Sequence, residues 1–228
     1  MRIAFLGASL TEGKCGGDFV AAAQARLPAF TLLNHGIAGH TVNRLLERVP
    51  RVLEDAPDAV FIMPGSNDAL AYVFPATRPY YKSQQALADG YLEPQVYGGI
   101  FRDICHEFAL SFVRVWVGLP PMEHSPAALA ASTLFNAETR AVADALNLPV
   151  FDLAARLNPP ALPDRPPLTL QTVLRIGDRV KSGWNDYESE RAGGGFTYSF
   201  DGIHFQPGYR AKQLAPGSPN GAASTPKP

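Results

Sequence analysis

Five positions of this sequence carry side chains or backbone suited to one chemistry: Ser9, Gly39, Asn67, Asp201 and His204. A serine hydroxyl attacks a carbonyl only when a base takes its proton, and a neutral imidazole does this best near neutral pH. His204 stands out among the histidines because Asp201 precedes it within reach of one turn. A carboxylate there can accept the second ring N–H, fix the tautomer and stabilise the imidazolium that forms. By itself such a pair is as readily a solvated turn. Acyl transfer also needs donors for the developing oxyanion. Gly39, with no side chain in the way, can bring its backbone amide close to a substrate, and Asn67 offers a side-chain amide. Singly, these are ordinary turn and cap residues. What changes the odds is that Ser9, Gly39 and Asn67 follow three successive apolar runs.

Those runs are the elements that must position them. Residues 3–6 form an uninterrupted apolar stretch that stops at Gly7, which reads as a strand buried on both faces in the middle of a parallel sheet. Runs at 30–34 and 59–63 read as further strands, the first ending in Asn34-His35-Gly36-Ile37-Ala38-Gly39 and the second in Pro64-Gly65-Ser66-Asn67-Asp68. Stretches 112–119 and 149–153 supply a fourth and fifth strand. Between them, 19–27, 42–53, 96–108 and 129–146 show helical composition or spacing, which makes a βαβ series. Ligands in such sheets bind at the carboxyl ends of the strands, where Ser9, Gly39 and Asn67 fall. Residues 69–93 read as an aromatic-rich loop. Residues 158–196, punctuated by Pro159-Pro160, Pro166-Pro167 and Gly193-Gly194-Gly195, read as an irregular insertion long enough to be a functional loop or lid. A single domain is expected over 1–214, with 215–228 a disordered tail.

At 228 residues with a net charge of −1, the chain has no excess of Lys and Arg for nucleic acid or an anionic membrane. No apolar run is long enough to span a bilayer. The first strand starts at residue 3, which leaves no room for a secretory signal core, so a cytoplasmic location is expected; a leader trimmed from the chain would leave the same sequence. Cys15 and Cys105 have neither metal-ligand nor disulfide-framework spacing and read as buried free thiols. No metal or other cofactor is expected, and the acyl-transfer chemistry of Ser9 and His204 leads us to expect a small-molecule ester as partner.

With these residues in hand, the sequence resembles the SGNH hydrolases, the GDSL-type lipase and esterase family. Gly7-Ala8-Ser9-Leu10 resembles the first family block, Gly36-Ile37-Ala38-Gly39 the second, Gly65-Ser66-Asn67-Asp68 the third and Asp201-Gly202-Ile203-His204 the last. The resemblance implies a triad of Ser9, Asp201 and His204, and an oxyanion hole of Ser9, Gly39 and Asn67. It implies a flavodoxin-like three-layer α/β/α sandwich with a parallel sheet of about five strands, and ester hydrolysis through an acyl-enzyme. Carbohydrate O-acetyl esterase, acyl-thioesterase and lysophospholipase activities remain open, as does a catalytically silent binding module on the same fold. Two departures stand out. Ala8 occupies the place where the family usually has Asp, which leaves the local loop bonding open. After His204, only 208–214 is available for the family's closing helix before Pro216.

Rival motifs fail on spacing. Between Gly7 and Gly13 lie five residues where a P-loop has four, and Cys15 stands where a hydroxyl would hold Mg²⁺. Thr11 replaces the second glycine of an α/β-hydrolase nucleophile elbow.

Overall fold

The computed structural model describes residues 1–209. The chain runs β1 (Arg2–Gly7), α1 (Ser9–Glu12), α2 (Phe19–Arg26), β2 (Thr31–Gly36), α3 (Val42–Glu47), α4 (Val49–Glu54), β3 (Ala59–Met63) and α5 (Ser66–Val73). It continues through α6 (Arg78–Gln84), α7 (Pro94–Leu110), β4 (Arg114–Leu119), α8 (Pro126–Ala145), β5 (Val150–Asp152), α9 (Leu153–Leu157), α10 (Leu170–Ser182) and α11 (Tyr187–Gly194).

The five strands form one sheet in the order β2-β1-β3-β4-β5, and every pairing is parallel. This is the flavodoxin-like order, in which the crevice opens where the winding reverses, beside β1. In register, Gly7 lies opposite Gly36 of β2 and Met63 of β3. Level strand ends therefore bring the loops carrying Ser9, Gly39 and Asn67 to one edge.

Alternation along the strands splits the core into two layers. Ala4, Leu6, Val60, Ile62, Val115 and Val117 face α3, α4, α7 and α8, where Leu45, Val52, Phe101, Ile104, Phe108 and Phe135 complete one continuous buried cluster. Phe5, Phe61, Met63 and Trp116 face the other way, onto Leu10, Phe19, Leu153 and Phe205. The second layer is lighter: short α2 and α9 cover it, and Phe205 enters from beyond α11, with its ring 6.3 Å from Phe19.

Several expectations need correction. The 69–93 stretch is largely helical: α5 occupies its start, and α6 forms with Pro79 in its first turn, a place where proline fits because no amide hydrogen is needed there. The single helix expected over 42–53 is two, since Pro50 sits in the first turn of α4. The apolar run at 30–34 forms β2, a half-buried edge strand. The 158–196 insertion, expected to be irregular, carries α10 and α11. Thr169 caps α10 through a reciprocal bond pair with Thr172, and Gly183 ends it in a left-handed conformation. The possible helix over 208–214 and the tail 215–228 lie outside the described residues, save Gly208 and Tyr209.

Candidate active site

Ser9 opens α1 one residue beyond β1. Gly7 is required there by contact, because a Cβ at that position would lie 2.1 Å from Thr11 Oγ1 and 3.2 Å from the Met63 carbonyl. With Ala8 before it, α1 has no side-chain cap. Instead, the Gly7 carbonyl accepts bonds from the Ile37 amide at 3.2 Å and the Arg48 guanidinium at 3.1 Å. Those bonds tie the serine's turn to the β2 side of the sheet.

The structure joins Ser9, His204 and Asp201 in a hydrogen-bonded chain. His204 Nε2 is 2.9 Å from Ser9 Oγ, and His204 Nδ1 is 2.7 Å from Asp201 Oδ2. Asp201 Oδ1 accepts the amides of Ile203 at 2.9 Å and His204 at 2.8 Å, so one carboxylate both shapes the turn and orients the ring. Burial pushes its pKa up, but the facing imidazole and these hydrogen bonds outweigh burial and hold it below the usual carboxylate range. Phe200 lies nearly parallel to the His204 ring, with centroids 5.9 Å apart and planes at 23°.

On the opposite side, Asn67 stands in the first turn of α5. Its amide Nδ2 donates to the His40 carbonyl at 3.0 Å, and its Oδ1 accepts the Tyr81 hydroxyl at 3.1 Å. These two bonds fix the amide's rotation and leave its second N–H for a ligand. Burial pushes the Tyr81 phenol up, so it stays protonated and donates. Gly39 has φ 78°, and a Cβ there would lie 2.1 Å from the Tyr80 hydroxyl. Neither condition admits another residue without strain. Asp68 links the loops that carry Gly39 and Asn67: it is 1% exposed and accepts the Val42 amide at 3.1 Å. Burial pushes its carboxyl up to about 7.

Other polar groups beside the site are held neutral. His40 is pushed down to about 4 by burial and by Arg48 and Arg44. Cys15 is buried and free, its thiol pushed up to about 11 by burial and the Asp201 charge, which leaves it inert as a thiolate nucleophile. Cys105, also buried, is pushed up to about 12. No group of three or more His, Cys, Asp or Glu among the described residues could hold a metal ion, and no described helix is long and apolar enough to cross a membrane.

The aromatics of the insertion pack beside the histidine loop. Trp184 and Tyr187 pack on Phe200 with centroids 5.8 and 4.9 Å away. Arg179 lies 4.0 Å over the Trp184 ring and pairs with Glu190. Phe200 and Glu123 are residues that sequence reasoning missed, and Tyr81 was read only as one of the aromatics of the 69–93 stretch. The available signal for Glu123 was its place in Pro120-Pro121-Met122-Glu123-His124, directly after β4 at the binding edge of the sheet.

The sequence profile of the GDSL-like lipase/acylhydrolase family matches residues 5–171. No curated protein matches the chain in sequence. Among solved structures, the chain is similar to the lipase/acylhydrolase from Enterococcus faecalis, with 20% identity, TM-score 0.58, and 92% of this chain and 90% of that one covered. It is also similar to the acetyl xylan esterase AlAXEase, with 17% identity, TM-score 0.58 and coverage of 90% and 92%. A third is a catalytic mutant of an acetylxylan esterase from Geobacillus stearothermophilus, with 18% identity, TM-score 0.54 and coverage of 79% and 91%. At these identities the likeness concerns the fold.

Proposed function

The chain belongs to the GDSL-like lipase/acylhydrolase family, and from that premise we propose that it is a serine esterase that cleaves carboxylic esters through an acyl-enzyme. The observation that carries the reading is the continuous Ser9–His204–Asp201 chain of hydrogen bonds at 2.9 and 2.7 Å.

In this reading His204 Nε2 takes the Ser9 proton as Oγ attacks the ester carbonyl, and Asp201 stabilises the imidazolium. The carbonyl oxygen gains negative charge, and the Ser9 and Gly39 amides and the Asn67 side-chain amide donate hydrogen bonds to it. His204 then gives the proton to the departing alkoxide, which leaves as the alcohol. A water, deprotonated by the same imidazole, attacks the acyl-enzyme and releases the acid, returning the proton to Ser9. Atoms and charge balance without a further reactant.

The chemical test is labelling by a fluorophosphonate, which a catalytic serine attacks and a loop serine does not. The expected result is stoichiometric modification at Ser9 together with turnover of p-nitrophenyl esters. A panel of these esters of increasing chain length, run beside acetylated xylan, assigns the acyl group and distinguishes a carbohydrate O-acetyl esterase from an esterase for longer acyl chains. An unlabelled Ser9 in protein that binds esters without cleaving them identifies a silent binding module instead.

A further inference from the structure

We propose that Glu123 is a positioning residue for the loop that carries Asp201 and His204, an inference that rests on the esterase reading above. Glu123 lies between β4 and α8 and is 2% exposed. Its Oε1 accepts the Thr197 amide at 2.5 Å, while Oε2 accepts the Tyr198 amide at 3.2 Å, the Ser199 amide at 3.0 Å and the Ser199 hydroxyl at 2.7 Å. The Ser199 oxygen in turn accepts the Gly202 amide at 3.0 Å, and the Glu123 amide donates to the Gly202 carbonyl at 2.9 Å. One residue thus grips both ends of 197–202, with Asp201 between the two grips.

A buried carboxylate is costly unless its lone pairs are filled, and here they are filled by dipoles of one short segment. The dependence is mutual. Three consecutive amides converge on one point only because an anion sits there, and a segment of such irregular backbone has few other means of satisfying them. Gly202 presses on the same strand-end loop: φ is 87°, and a Cβ would lie 2.5 Å from His124 Cα. Arg165 braces this loop from the other side, donating to the carbonyls of Glu123 at 3.3 Å, His124 at 2.5 Å and Gly194 at 2.6 Å. The carboxylate does not touch Ser9 or His204. It acts through the backbone that aims Asp201.

The test compares the full chain with Glu123→Gln, whose amide keeps one acceptor oxygen and turns donors toward donors, and with Ser199→Ala, which removes a single hydroxyl. The expected result for Glu123→Gln is a kcat lower by roughly 10–100-fold with KM within about two-fold, the size expected when reacting groups are displaced by a fraction of an ångström. Fluorophosphonate labelling slows in step, and the low-field proton resonance of the His204–Asp201 bond broadens or shifts. Ser199→Ala shows the same split at roughly 2–10-fold, the loss of the two hydrogen bonds its hydroxyl makes to Glu123 and to the Gly202 amide, and carries the test alone if Glu123→Gln does not fold. A folded Glu123→Gln that melts earlier yet keeps kcat, labelling rate and the resonance well below its Tm overturns the positioning role, as does an unchanged Ser199→Ala where only that variant folds. Parent protein that neither labels nor turns over esters defeats the esterase reading itself, and the inference with it.

Discussion

On one side of Ser9, Gly39 and Asn67 stand at the ends of β2 and β3, where strand register and the start of α5 set their heights. On the other, Asp201 and His204 stand on a loop outside the sheet, whose one β-bridge among the described residues joins Ser199 and Phe205. The first side is fixed by the sheet. The second is fixed by side chains that arrive from elsewhere: the Glu123 carboxylate, and Trp184 and Tyr187 packed on Phe200. The family profile follows this division, since its match over 5–171 covers the first side and stops before the second. A regular scaffold sets the place of a strand-end residue by register, whereas an irregular loop must be held by contacts distant in sequence.

The largest effects test whether the two sides meet at one serine. Ser9→Ala and His204→Ala are each expected to lower kcat roughly 10⁴-fold or more, and the double variant is expected to be scarcely worse, because removing one partner of a proton transfer idles the other. Steady-state rates on a p-nitrophenyl ester measure this. Losses that multiply would separate His204 from Ser9 and dissolve the triad.

Next in size is the sheet-fixed side. Asn67→Ala is expected to lower kcat by roughly 10²–10³ with KM little changed, the loss of one oxyanion donor. A rise in KM at constant kcat would make Asn67 a ground-state contact. Tyr81→Phe tests the layer behind it: the phenol only orients the Asn67 amide, so a kcat loss of roughly 2–10-fold is expected, the value of one hydrogen bond. An effect as large as that of Asn67→Ala would mean that the asparagine has no support from its bond to the His40 carbonyl.

The same division governs what could be read in the sequence. Strands at 59–63 and 2–7 announce themselves through unbroken apolar runs, and glycines at their ends mark the turns that carry Ser9 and Asn67. The triad spacing of Asp201 and His204 was legible as a local pair, but nothing local indicated that the pair reaches Ser9, 195 residues away. The helix α10 was hidden by context rather than by its own residues. Leu170, Val173, Leu174, Ile176 and Val180 recur at helical spacing and Thr169 is a sound cap, but the flanking prolines and the Gly193–Gly195 run dominated the reading. Glu123 was marked only by its place after β4, and its partners were illegible for a physical reason: its four donors lie more than seventy residues downstream, and one carboxylate in a loop carries no periodic signal.

The smallest expected effect sharpens the contrast through charge. Asp201 and Asp68 are both carboxylates beside the site, but their surroundings push them in opposite directions. Asp68 is pushed up to about 7 by burial, against the hydrogen bonds from the Val42 amide and its own. Between the ordinary carboxyl pKa near 4 and that value, the unfolded chain has released a proton that the folded chain still holds. The contribution of Asp68 to stability is therefore full below about pH 4 and is lost as pH rises to about 7. Asp201 has its folded value depressed by His204 and the two turn amides despite burial, so its contribution is present above the ordinary carboxyl range and is lost as the pH falls below it. Asp68→Asn keeps an acceptor for the Val42 amide and removes the titration. Its Tm relative to the parent is expected to rise from pH 4 and level off above about pH 7, with kcat changed by no more than a few fold because Asp68 reaches Gly39 and Asn67 only through the helix starts it joins. Thermal melts across that range decide it. Parallel Tm curves for the variant and the parent would mean that Asp68 is charged throughout in the fold, and that the sheet-fixed side stabilises its carboxylate as well as the loop side does.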